Sequence, residues 1–206
     1  MPNPWASTWP KSDSDPMPRL QLNRRGFLGI ALAGSAGLLW KPKGAMALGG
    51  ALPDLGVEAP DFNLPGTKAN NTTTTWSLKE WSGSWLVLYF YPRDFTSGCT
   101  IEAHGFQEAL NDFKLHNCDI AAISADSVED HESFCSSEGL DFTLLSDPNG
   151  KVSRLYGSWM APFSLRHTFL IDPNGILRAR WTGVRPVGHA REVLETLISE
   201  EKSSVV

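Results

Sequence analysis

The sequence predicts an α/β domain with a central mixed β-sheet flanked by helices. Three observations carry that expectation. Strand-like apolar runs alternate with helix-like segments through the middle of the chain. One run, "SWLVLYFY" at 84–91, is apolar almost throughout, the pattern of a strand covered on both faces. The chain then closes with a hairpin and an amphipathic helix.

Residues 1–47 fall outside that domain. Pro2, Pro4, Pro10, Pro16 and Pro18 give residues 1–23 the composition of a disordered forerunner. Arg24 and Arg25 then precede an apolar stretch of 14 residues, "FLGIALAGSAGLLW" at 27–40. That is short of the about 20 residues that span a bilayer core, and Gly29, Gly34 and Gly37 weaken it as a helix. Lys41, Lys43 and an A-x-A pattern, Ala45-Met46-Ala47, follow. Basic region, apolar region and small-residue site together read as an export signal, and the arginine pair resembles a twin-arginine tag, used to export folded proteins. An uncleaved anchor helix is the alternative. The expected destination is the periplasm or, in a photosynthetic source, the thylakoid lumen, with no stable membrane association after cleavage.

From Leu48 on, 21 Asp and Glu face 12 Lys and Arg, a net charge of −9. That balance argues against a nucleic-acid partner, which requires a basic footprint. A single domain over 48–206 is expected. Its elements follow in order. Residues 49–62 read as a linker into the first strand, and "TTTTW" at 72–76 as a β-branched second strand. "SLKEW" is a helical turn with Ser77 as cap and Glu80 at the capping-box position. The 84–91 strand ends at Pro92. Ile101, Phe106, Leu110, Phe113 and Leu115 recur at near-helical spacing to about residue 115. "DIAAIS" at 119–124 is a strand, 127–139 a helix closed by Gly139, and 142–147 a strand with a "DPNG" turn after it. A short helix at 151–156 leads to the strand 166–172, its hairpin partner 176–181 and a last helix at 188–201.

The chemistry concentrates at "YPRDFTSGCTIEAHGF", 91–106. Three cysteines, Cys99, Cys118 and Cys135, cannot all pair with one another, so at least one thiol stays free or works. Cys99 stands where a loop becomes a helix. There the unpaired backbone N–H groups of the first turn and the positive end of the helix dipole favour thiolate over thiol. Pro92 takes the chain out of the sheet, Gly98 allows close backbone approach, and Thr96 places a hydroxyl three residues before the sulfur. This is a nucleophile's setting at the C-terminal edge of an open sheet; a buried, inert cysteine is the bland alternative.

The pattern Pro92-x-x-x-Thr96-x-x-Cys99 is the peroxiredoxin active-site motif, and "FYPRDFTSGCTIEAHGF" resembles the peroxiredoxin Q branch, also called bacterioferritin comigratory protein. The likeness runs from about residue 52 to 200, through "FTLLSDPNG" and "RHTFLIDPNG". It implies a thioredoxin-like fold and a thiol-dependent peroxidase without cofactor or metal, reduced by a thioredoxin-like or small-thiol donor, and monomeric. Cys99 would be the peroxidatic cysteine, attacking hydrogen peroxide or an organic hydroperoxide to give a sulfenic acid. Thr96 and local amides would hold the peroxide oxygens, Arg166 would stabilise the charge, and Pro92 would shield the sulfur.

The chain departs from this branch at His104, where many members carry a resolving cysteine five residues after the peroxidatic one. Five helical residues turn some 500°, so His104 points about 140° away from Cys99; a proton-shuttle role is the alternative. Cys135, in "ESFCSSEGL", resembles the resolving segment of the bacterial thiol peroxidases. It is the candidate resolving cysteine, with direct reduction of Cys99 by an outside thiol as the other possibility. Cys118 is expected at a strand's edge without chemistry. A thiol-disulfide oxidoreductase of the same fold would need Cys-x-x-Cys, but position 102 is Glu. His131 with Cys135 and His116 with Cys118 supply two metal ligands each, where structural zinc takes four. A peroxiredoxin-fold interaction protein without turnover conflicts with the intact Pro, Thr, Cys and Arg set. Trp159, Phe163 and Trp181 are read as core, with an apolar approach for organic hydroperoxides as the alternative.

Overall fold

The computed structural model describes residues 46–47, 49–68 and 73–204. The expected export segment, with Arg24, Arg25 and the apolar stretch, lies outside the described residues except for Met46 and Ala47. Met46–Ala47 (β1) pairs with Gly50–Ala51 (β2).

Seven strands form the main sheet: Asn63–Thr67 (β3), Thr74–Ser77 (β4), Trp85–Phe90 (β5), Cys118–Ser124 (β6), Thr143–Ser146 (β7), His167–Ile171 (β10) and Leu177–Thr182 (β11), in the order β11-β10-β5-β6-β7-β3-β4. Trp159–Met160 (β8) and Phe163–Ser164 (β9) make a separate hairpin. The β5–β6 and β6–β7 pairs are parallel and the other pairs antiparallel, so the sheet is mixed. All six residues of β5 are buried, as a strand with both faces covered requires.

Alternation along β5 divides the core. Val87 and Tyr89 join an apolar cluster with side chains of Ser97–Glu108 (α1), Leu110–Leu115 (α2), Val128–Glu138 (α3) and His189–Ser204 (α5). Leu86, Leu88 and Phe90 join another, filled by Leu52, Phe62, Trp81 and Tyr156. Helices flank both faces unevenly. The four longer ones gather on one side, and the N-terminal segment, a 3₁₀ turn at Leu78–Trp81 and the short Lys151–Leu155 (α4) cover the other. Parallel β5-β6-β7 joined by right-handed crossovers places α1, α2 and α3 on one face.

Two local expectations need correction. The helical stretch to residue 115 falls into two segments, α1 and α2, parted at Ala109 (φ −87°, ψ −2°), although the Ala109 amide still donates to the Gly105 carbonyl and the Phe113 amide to the Ala109 carbonyl. Ser77 has extended dihedrals at the cap position, but its side chain makes no capping bond to the 3₁₀ turn. Ser77 is still paired with Asn63 in the sheet, and a single 3₁₀ turn does not present the N3 amide to it. The capping box forms instead at α3, where Ser127 Oγ accepts from the Asp130 amide and Gly139 closes the helix at φ 65°.

Candidate active site

The chain leaves β5 at Tyr91 and Pro92, crosses a four-residue loop and enters α1 with Thr96 as its N-cap and Cys99 in the first turn. The first-turn N–H groups have no acceptor within the helix by position alone. Cys99 is 2% exposed. From the start of β10, the Arg166 guanidinium reaches across: its Nη2 donates to Cys99 Sγ at 3.3 Å, and its Nη1 donates to the Glu102 carboxylate. Gly98 makes room for this, since a Cβ there would lie 3.3 Å from Arg166 Nη2 and 4.0 Å from Pro186 Cγ.

Glu102 is the residue sequence reasoning missed. It sits three positions after Cys99, so one helical turn brings both to Arg166. Its side chain is buried, and one carboxylate oxygen has no hydrogen-bond partner among the described residues. Burial raises its pKa from 4.5 to about 7, against the lowering effect of Arg166. The signal was present in the sequence as a charged residue within the apolar stripe of Cys99, Ala103 and Phe106.

Thr96 is exposed, and its hydroxyl donates to the Arg93 carbonyl at 3.0 Å, leaving the oxygen's lone pairs free to accept. Pro92 is half-buried. Cys135 lies on α3, 5% exposed, in the same apolar cluster as Cys99; the two sulfurs are unbonded. Burial pushes the Cys135 thiol up to about 12, with Asp94, Asp141 and Glu132 adding to the shift. Cys118 opens β6 opposite Trp85, buried, with its thiol also pushed up by burial. His104 turns to Glu138 at the end of α3, Nε2 to Oε2 2.9 Å.

The histidines of the two pairs considered for metal have other partners. His131 presents its two ring nitrogens to Asp94 and the Leu145 carbonyl, and His116 pairs with Glu201. Among the aromatics read as core, Phe163 is 38% exposed, because it belongs to the β8–β9 hairpin outside the main sheet, with the Arg93 guanidinium 5.3 Å from its ring centre. Trp159 and Trp181 are half-buried; Trp159 closes over Gly150 and Trp181 packs on His189.

Residues 55–180 match the AhpC/TSA family. Peroxiredoxin Bcp of Xanthomonas campestris pv. campestris is 36% identical over 157 residues, 72% of this chain and 96% of the relative. Peroxiredoxin Bcp of Bacillus subtilis is 35% identical over 152 residues, covering 70% and 94%. Among solved structures, the Xanthomonas campestris bacterioferritin comigratory protein superposes with a TM-score of 0.64 at 34% identity, over 71% of this chain and 99% of that one. Reduced Plasmodium vivax 2-Cys peroxiredoxin gives 0.68 at 28% identity, over 74% and 99%. Motif, fold and kinship agree: the chain belongs to the AhpC/TSA family and is a peroxiredoxin, a thiol-dependent peroxidase.

Proposed function

We propose that Cys99 reduces hydrogen peroxide and organic hydroperoxides, with Arg166, Thr96 and Pro92 completing the site. The observation that carries this assignment is the guanidinium 3.3 Å from a sulfur in the first turn of a helix. The Cys99 thiolate attacks the terminal peroxide oxygen; an S–O bond forms, the O–O bond breaks, and water or an alcohol leaves after taking up a proton. Arg166 Nη2 and the first-turn amides stabilise the charge shifting from sulfur to oxygen. Thr96 Oγ, anchored through its own hydrogen to Arg93, offers its lone pairs to the hydroperoxide O–H. Pro92 limits water around the sulfur. The exposed rings of Phe95 and Phe163 beside this loop favour an alkyl hydroperoxide, and the related Xanthomonas protein was studied for alkyl peroxide reduction.

Cys135 resolves the sulfenic acid, and a thioredoxin-like or small-thiol donor then reduces the disulfide. The cysteines replaced by serine in two Xanthomonas campestris peroxiredoxin Q structures are as many residues apart as Cys99 and Cys135. The protein acts as a monomer, exported through its twin-arginine-type signal to the periplasm or thylakoid lumen, where disulfides persist. No helix among the described residues is long and apolar enough to cross a membrane.

Peroxide consumption tests the assignment. Cys99→Ser is expected to lose the dithiothreitol-supported rate entirely, and Cys135→Ser to keep it while losing turnover with thioredoxin. Equal rates for wild type and Cys99→Ser would refute the assignment. Cell fractionation of Arg24→Lys/Arg25→Lys tests export, which is expected to stop.

A further inference from the structure

A buried pair that the peroxide chemistry does not use joins the loop before Cys99 to the helix carrying Cys135. Asp94 Oδ1 accepts from Tyr91 Oη at 2.6 Å, and Asp94 Oδ2 lies 2.7 Å from His131 Nδ1. The Asp94 and His131 side chains are 2% and 0% exposed. His131 stands on α3 one turn before Cys135, and its Nε2 donates to the Leu145 carbonyl of β7 at 3.2 Å. Both ring nitrogens therefore face acceptors, which ties loop, helix and sheet through one imidazole.

Neighbouring contacts run the same way. The Asp94 amide donates to Asp126 Oδ2 at 3.0 Å, Arg93 pairs with Asp126 at 3.7 Å, and the Phe95 ring meets the Phe134 ring edge-on at 5.1 Å. Phe95 is held at φ 57°, a left-handed conformation that a bulky residue adopts only when its surroundings impose it. Those surroundings are α3 and the loop ahead of it.

We propose that Asp94–His131 is a latch that positions the Cys99 loop while closed, and that must open for Cys135 to reach Cys99. The latch thereby sets how oxidised Cys99 divides between disulfide formation and further oxidation. The proposal rests on the two-cysteine reading above. In the resolving step the Cys135 sulfur displaces the hydroxyl of the Cys99 sulfenic acid. The S–S bond forms, the S–O bond breaks, and the Cys135 proton leaves with the hydroxyl as water. In the competing step the sulfenate sulfur attacks a second hydroperoxide: another S–O bond forms, the O–O bond breaks, and a sulfinate and water or an alcohol result. Closed, α3 keeps Cys135 buried and protonated; opening moves it and wets it together. The same opening releases Phe95 and dismantles the peroxide site.

The test follows the two phases after a hydrogen peroxide pulse in wild type and His131→Ala. The variant is expected to form the disulfide at least about tenfold faster, the scale of one lost charge-assisted hydrogen bond, and to react with peroxide more slowly. Sulfinic acid per turnover should fall in proportion. Both phases unchanged, or both slowed, would overturn the latch. Hydrogen exchange on the wild type gives a second reading: amides of Val128–Glu138 should exchange at least about tenfold faster in the Cys99–Cys135 disulfide form than in the reduced form. Equal protection also overturns the latch. A wild type that never yields a linked Cys99–Cys135 peptide removes the two-cysteine reading, and the latch with it; a linked peptide with unaltered phases removes the latch alone.

Discussion

Compare the first turn of α1 with the middle of α3. Each holds a cysteine no more than 5% exposed, within a single apolar cluster. At α3 the thiol has carboxylates around it, and burial leaves it protonated. At α1 the sulfur has a guanidinium at 3.3 Å and the unpaired amides of a helix start. Burial is therefore common to the two sulfurs; what differs is the sign of the charge beside each.

Removing the cation attacks that contrast most directly. Arg166→Ala should lower the second-order rate of Cys99 with hydrogen peroxide about 100-fold, the usual scale for one group stabilising a transition-state charge. Arg166→Lys should recover part of it, because an ammonium keeps the charge and loses the fork that holds Cys99 and Glu102 together. Stopped-flow rates on the Cys135→Ser background separate this step from resolution.

Glu102 gives an intermediate effect, read in stability. Its pKa of about 7 in the folded chain exceeds its ordinary 4.5. Between those values the folded state binds more protons than the unfolded one, so stability falls as pH rises through the window, with the full loss present above about pH 7. Glu102→Gln should remove that slope, on the order of 3 kcal/mol from pH 4.5 to 7. Denaturant melts across this range measure it; parallel slopes for both proteins would show that Glu102 does not carry it.

The smallest expected effect is at Gly98. A Cβ 3.3 Å from Arg166 Nη2 shifts the guanidinium by tenths of an ångström. Gly98→Ala should slow peroxide reduction a few-fold while raising stability by up to about 1 kcal/mol through helix propensity. A slower yet more stable variant would show that the site, and not the fold, requires this glycine.

The central strands, the order of elements and the Cys99 position were legible because they rest on short-range signals: an unbroken apolar run, a proline stop and a loop-to-helix step. Contacts between distant segments were not. Asp94 and His131 are 37 residues apart and Glu102 meets Arg166 across 64; a charge in an apolar stripe marks Glu102, but no local pattern says which residue either one meets. Ser77-x-x-Glu80 and Ser127-x-x-Asp130 carry the same capping signature. Only Ser127 caps, because only there does the amide three residues on belong to a full α-helix. Apolarity marks Phe163 as core, yet apolarity does not tell a sheet residue from one on an outlying hairpin.

The most direct measurement is mass spectrometry of all three sulfurs before and after one equivalent of hydrogen peroxide. A Cys99–Cys135 linked peptide is expected in the wild type, a Cys99 sulfenic acid in Cys135→Ser, and a reduced Cys118 in both. Peroxide consumed while Cys99 remains a free thiol would contradict that expectation.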